Sequence, residues 1–137
     1  MENTSIFKRR TLLAAGVAAL IVGGAHHAPA ADEAAKTVTV VIDYNDGVQK
    51  RFTAITWTAK MTVFDAMQMA ARHPRGIKFK HKGNGATALL TKIDNLENEG
   101  RGRNWLYRVN GKLADRSFGV FQLAAGDTVL WKFDKYR

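Results

Sequence analysis

From Thr37 onward the chain alternates: Val38, Val40 and Ile42 fall on one side of an extended segment and Thr37, Thr39, Val41 and Asp43 on the other, the two-residue period of a half-buried strand. Asn45-Asp46-Gly47 turns the chain into a second run, Lys50 to Thr58, carrying Phe52, Ile55 and Trp57. The parity of that run breaks between Phe52 and Ile55, so a bulge is expected near Thr53 or Ala54. The period then changes. Val63, Met67, Ala70 and Ala71, joined by Phe64, recur at helical spacing, with Gln68 and Arg72 away from that side. Thr62 stands where an N-cap belongs, Asp65 three residues on can return the hydrogen bond, and His73-Pro74 stops the helix because proline disfavours helical geometry in the residue before it.

Alternation returns after Gly76. Ile77 to Lys82 interleaves apolar or aromatic residues with Lys78, Lys80 and Lys82 and reads as a short edge strand with a charged outer side. Gly83-Asn84-Gly85 turns it, Ala86 to Ile93 reads as a further extended segment, and Asp94 to Arg103, rich in Asn, Glu, Gly and Arg, reads as an exposed loop. Asn104 to Lys112 is the strongest local signal. Asn110-Gly111 sits between two short alternating runs, and both central positions of a type I′ turn need a positive φ, which these residues tolerate best. Asp115 to Phe121 reads as a tight turn or one helical turn. Ala125-Gly126-Asp127 then delivers Val129, Trp131 and Phe133 to one face of a last strand and Thr128, Leu130 and Lys132 to the other. A strand hairpin, one helix and several shorter strands describe an α+β domain, a mixed sheet packed on a single helix, and the β-grasp architecture has this order.

The first thirty residues have a different character. Lys8-Arg9-Arg10 is a positive start, Thr11 to Ala25 is uncharged and rich in Leu, Ala and Val, and Ala28-Pro29-Ala30 has the small-residue pattern of a cleavage site. We read residues 1–30 as a signal peptide, 31–36 as a polar lead-in and 37–137 as the domain. The uncharged stretch is shorter than the roughly 20 residues a membrane-crossing helix needs, so no permanent membrane span is expected after cleavage. Arg9-Arg10 ahead of Thr11-Leu12-Leu13 resembles a twin-arginine signal without its flanking Ser and Lys, which leaves both export routes open, and periplasm or medium as the destination.

With no cysteine, an exported domain of this size has only its apolar core to hold it. The whole chain carries a formal charge of +9. Such a surface concentrates anionic partners. Catalytic groups are scarce. Past the leader there is one serine, Ser117, and the histidines His73 and His81 stand eight positions apart, so no nucleophile-and-base pair is expected. Neither is a metal cluster: Asp43, Asn45 and Asp46 fit backbone capping in a turn better than calcium, and Glu97 and Glu99 fall in the loop. Gly83-Asn84-Gly85 lacks the helix and Lys-Ser/Thr element of a phosphate-cradling loop.

Five segments in this order, the turn-bearing first hairpin, Met61-Thr62-Val63-Phe64-Asp65-Ala66-Met67, Leu90-Thr91-Lys92-Ile93-Asp94-Asn95, Asn104 to Gly111, and Gly126-Asp127-Thr128-Val129-Leu130-Trp131, resemble bacterial secreted domains of unknown function grouped with the C-terminal domain of transcobalamin. The resemblance spans about Val38 to Tyr136 and implies a β-grasp domain without enzymatic activity. In the vitamin carriers that name the family, this domain covers one face of a cobalamin held against a larger helical domain, which this sequence lacks. By that analogy Trp105 and Tyr107 match the aromatic segment opening the late hairpin, and Gly119 lies near a ligand-facing turn.

The expectation is therefore an exported, non-catalytic binding module with no obligatory cofactor. Its partner would be an extracytoplasmic protein, glycan or small molecule docked on an exposed face around Trp105, Tyr107, Arg108, Arg101, Arg103 and Gly119. Two alternatives stand beside it: cobalamin or a related tetrapyrrole, and a polyanion, nucleic acid or acidic glycan, held by Lys78, Lys80 and Lys82 with the nearby arginines. Nucleic acid is not the expected partner. Edge lysines that keep sheets from pairing, and Trp105 in the core, are the plainer readings of the same residues.

Overall fold

The structure, a computed structural model, describes residues 36–137; the expected signal peptide and most of the lead-in lie outside the described residues. Two strands, β1 (Thr37–Asp43) and β2 (Gln49–Thr56), form the first hairpin. Opposite Thr39 the second strand carries two residues, Thr53 and Ala54, because Val38 pairs with Ile55 and Val40 with Phe52. This is the bulge that the parity break calls for, and it lets Phe52 and Ile55 both reach the core. Strand β2 stops at Thr56, short of the expected Thr58; Trp57 instead donates its indole N–H to the Leu123 carbonyl at 2.8 Å.

The helix α1 (Val63–Arg72) starts at the expected cap. The Asp65 N–H donates to the Thr62 hydroxyl at 3.2 Å and the Thr62 N–H to the Asp65 carboxylate at 2.9 Å, so two otherwise orphaned donors are satisfied. Val63, Ala66, Met67 and Ala70 are buried against β1 and β2. Phe64 turns away from them toward the small sheet, with its ring 6.0 Å from Phe79 and 5.5 Å from Phe118.

The remaining strands are β3 (Phe79–Lys82), β4 (Leu89–Ile93), β5 (Leu96–Glu97), β6 (Asn104–Val109), β7 (Lys112–Leu113) and β8 (Thr128–Asp134). A one-turn 3₁₀ segment, Gly85–Thr87, precedes β4. The strands make two sheets rather than the single one expected. The larger has the order β2-β1-β8-β6-β7, mixed because β1 and β8 run parallel at its centre; the smaller has the order β3-β4-β5, antiparallel. Among the described residues α1 is the one α-helix, so the class is α+β with mixed sheets and a single helix, and no helix there is long and apolar enough to cross a membrane.

The segment from Asp94 to Arg103 corrects the sequence reading. Asp94 takes a φ of +52°, turning β4 directly into β5, so a strand lies where a loop was expected. Beyond it, polar side chains organise the backbone. Glu99 accepts the Arg103 N–H at 2.6 Å, and the Asn104 side chain both accepts the Gly100 N–H and donates to the Gly100 carbonyl at 2.9 Å. Asn98 joins the sheets: its amide donates to the Leu90 carbonyl of β4 at 2.7 Å and accepts the Trp105 N–H of β6 at 2.8 Å. The inward residues of both sheets and the helix form one apolar cluster, Met67 and Trp131 within it.

Candidate functional site

Strand β6 alternates half-buried and buried residues, and Asn110 and Gly111, at φ +52° and +84°, close the hairpin that fixes its register. Pairing with β8 sets Trp105 opposite Phe133, Tyr107 opposite Trp131 and Val109 opposite Val129. The result is a ladder of aromatic pairs on the inner face, with centroids 5.2 Å apart for Trp105 and Phe133 and 4.8 Å for Tyr107 and Trp131. Phe118 meets the Trp131 ring edge-to-face at 5.4 Å, and Tyr44 meets Trp105 at 5.7 Å.

This ladder ends at a hollow. Strands β4 and β6 are joined by Asn98 at one point, and the segment from Leu113 to Phe118 passes beside them, leaving a cavity of about 390 Å³. Its walls include Leu90, Trp105, Tyr107, Phe118 and Trp131, with exposed Tyr136 at the margin. The polar groups around it are nearly all engaged. The Tyr107 hydroxyl donates to the Arg116 carbonyl at 2.5 Å, and burial, then the Asp115 charge, push it up to about 12. Ser117 Oγ lies 2.6 Å from the Ala88 carbonyl and 2.9 Å from that of Gly85, and accepts the Gly119 N–H at 3.1 Å. The exception is Trp131. Its indole Nε1 is buried and has no hydrogen-bond partner among the described residues, whereas Trp105 donates to the Leu96 carbonyl at 2.9 Å. A buried, unpaired N–H costs about 1–3 kcal/mol, so native chains rarely leave one without a reason.

The residues named from sequence do not share one surface. Trp105 and Tyr107 are 5% and 8% exposed, part of the core and of the hollow's wall rather than an exposed platform. Arg108 alternates with them and sits on the opposite face of the sheet, paired across to Leu130. Arg103 lies over the Phe133 ring at 4.9 Å and pairs with Glu99 at 3.1 Å, and Arg101 is exposed in the same loop. Gly119 faces inward: a Cβ there would stand 2.4 Å from the Gly85 carbonyl oxygen, so the close backbone approach requires glycine. Lys80 and Lys82 lie on the exposed side of β3, and Lys78, just before the strand, donates its N–H to Asp94 at 3.0 Å.

The candidate chemical groups stand apart as well. Ser117 bonds backbone carbonyls, His81 Nδ1 lies 3.1 Å from the Gly83 carbonyl, and Asp115 pairs with Arg116 at 2.8 Å. Asp43 accepts the Asn45 N–H and Asp46 the Val48 N–H, the capping expected of that turn, and no cluster of three metal-ligating side chains occurs among the described residues. Sequence reasoning passed over Trp131 as a site residue. The pattern places it correctly in the core, but no sequence signal distinguishes an indole that finds a carbonyl from one that does not.

Residues 61–135 match the model of a domain family of unknown function, DUF4430. No curated protein matches the chain. Among solved structures the fold is similar to that of a candidate metal-binding protein from Ruminococcus gnavus, at a TM-score of 0.59 and 13% identity over 74% of this chain and 99% of that one. It is also similar to haptocorrin in complex with Cbi, at a TM-score of 0.62 and 15% identity over 74% of this chain; the chain spans only 25% of haptocorrin's length. The match from α1 through β8 takes in more than half of the sequence, and the chain belongs to the domain family of unknown function DUF4430.

Proposed function

We propose that this chain is an exported, non-catalytic β-grasp module that holds a small ligand in the hollow between β4 and β6. The observation that carries the reading is the unpartnered indole N–H of Trp131 in an aromatic wall. An apolar concavity of a few hundred Å³ with one or two fixed polar groups is the usual form of a small-molecule site. The ligand class that suits it has a flat apolar body for Trp105, Tyr107 and Phe118 and an acceptor oxygen for Trp131. The β-grasp assignment is supported by the hairpin, single helix and central parallel β1–β8 pair. Export to periplasm or medium is supported by the leader-like residues 1–30, and the absence of turnover by the separate engagement of Ser117, His81 and Asp115.

The test uses acetanilide and benzoate as probes, each pairing a ring with an acceptor, titrated calorimetrically into the full chain. The proposal expects one of them to bind and Trp131→Phe to weaken it about tenfold, the value of one buried hydrogen bond. No binding by either probe, or binding indifferent to Trp131→Phe, rejects it. A second reading, cobalamin binding, draws on the similarity to haptocorrin in complex with Cbi. Alone, a domain of this size would bury one side of a corrin, and absorbance of cobalamin retained with the chain through gel filtration is the result it requires.

A further inference from the structure

A second feature, built on charge, lies at the other end of the large sheet from the hollow. Over residues 36–137 there are eighteen Lys and Arg against nine Asp and Glu, and the acids are mostly committed to turns, the helix cap or ion pairs. Between edge strand β2 and the C-terminal end of α1 runs a trough of about 510 Å³ whose floor is Phe52, Ile55 and Met69 and whose walls carry Arg51, Arg72 and Arg75. An adjoining hollow of about 330 Å³ shares Arg51, Phe52, His73 and Arg75 and extends the trough to Gln49 and Lys50. No acidic residue lines either part. Among the described residues the ion pairs are Lys50–Asp94, Arg103–Glu99, Arg116–Asp115 and Arg137–Asp134, so the three trough arginines have no carboxylate partner.

Local structure sets the backbone from which two of these cations project. Arg72 ends α1, where a positive side chain suits the helix dipole. The Arg75 N–H donates to His73 Nδ1 at 3.1 Å, and the His73 ring rests edge-on against Phe52 with centroids 5.4 Å apart. The half negative charge of the helix end opposes an anion, but three full guanidinium charges outweigh it.

We infer that this trough is a docking site for a phosphate-bearing polyanion, a chain with several phosphate groups lying along β2 from Gln49 to Ile55. Guanidinium forks match phosphate oxygens two at a time, and seven strand residues extend about 20 Å, room for several phosphates but far more than one needs. An acidic peptide is the competing partner, and would draw extra affinity by pairing with the free edge of β2. The bulge at Thr53 and Ala54 interrupts the ladder such a peptide would extend, which leaves a charge-led partner favoured.

The experiment measures binding of long-chain inorganic polyphosphate to the full chain across a salt series. The expected logarithmic slope is about −2, from three phosphate contacts at about −0.7 each. Arg72→Gln and Arg75→Gln each lower its magnitude by about 0.7, and the triple variant with Arg51→Gln loses at least tenfold in affinity at low salt. Melting curves accompany each variant, and the two surface single substitutions decide the matter if the triple does not fold. Lys78→Gln, Lys80→Gln and Lys82→Gln together serve as the control and leave affinity within about twofold. Absence of polyphosphate binding, equal loss from the lysine and arginine triples, or tighter binding of polyglutamate than of polyphosphate would each overturn the proposal.

Discussion

At the scale of single residues, Asp94 does more than its place in a turn announces. Its carboxylate accepts from the Tyr44 hydroxyl, from Lys50 Nζ at 3.1 Å and from the Lys78 N–H at 3.0 Å, tying the first hairpin to the small sheet. Burial pushes this carboxyl up, but the bonds from Tyr44, the Lys78 backbone and Lys50 together hold it below the usual range; burial likewise raises the Tyr44 hydroxyl, with Asp94 adding to it. A carboxyl lowered by folding stabilises above its unfolded value, and that contribution is lost as pH falls through its folded one. Asp94→Asn is therefore expected to cost about 2 kcal/mol at neutral pH, roughly 8–16 °C in melting temperature for a domain of this size, with the gap closing in acid. Equal melting of the two proteins at neutral pH would contradict this. Sequence shows Asp94 as the first residue of an expected exposed loop; it does not show the partners, which come from residues up to 50 positions away.

At the scale of elements, legibility follows how local the cause is. The helix from its Thr62 cap to Pro74, the bulge at Thr53 and Ala54, and the hairpin at Asn110-Gly111 are set by residues within a few positions, and the structure has them as the pattern implies. The segment after Asp94 is not of that kind. Its polar composition signals a loop, yet those polar groups satisfy backbone in place of a ladder, and a two-residue strand is too short for periodicity to reveal. The division into two sheets has the same origin, since the link between β4 and β6 runs through one amide. Asn98→Ala is expected to cost about 2–4 kcal/mol, because it leaves the Trp105 N–H and the Leu90 carbonyl without their partner, while the distant Thr62→Ala costs about 1 kcal/mol through the cap. Denaturant melts of the two variants make the comparison; a smaller loss for Asn98→Ala than for Thr62→Ala would remove Asn98 as the joint between β4 and β6.

For the whole molecule, the sequence-derived recognition surface divides into distinct regions. Trp105 and Tyr107 lie inward at the hollow, Arg108 on the opposite face, Arg101 and Arg103 in a loop beside Phe133, and the unpaired arginines at the far edge of the sheet. Alternation correctly fixes which residues face which side of β8, and the same period along β6 separates Arg108 from Trp105 and Tyr107, which the sequence reading groups on one exposed face. It carries no information on where two sheets part and leave a space, because that depends on the paths of segments far apart in the chain. The central claim is that this space is a binding site whose free donor is Trp131. Three indole N–H groups make it testable in one spectrum, since those of Trp57 and Trp105 are bonded to carbonyls and that of Trp131 is not. In proton–nitrogen correlation spectra of the full chain titrated with acetanilide, the account predicts that the Trp131 indole signal moves downfield while the Trp57 signal stays fixed. A Trp131 signal that stays unmoved at saturating probe would contradict it.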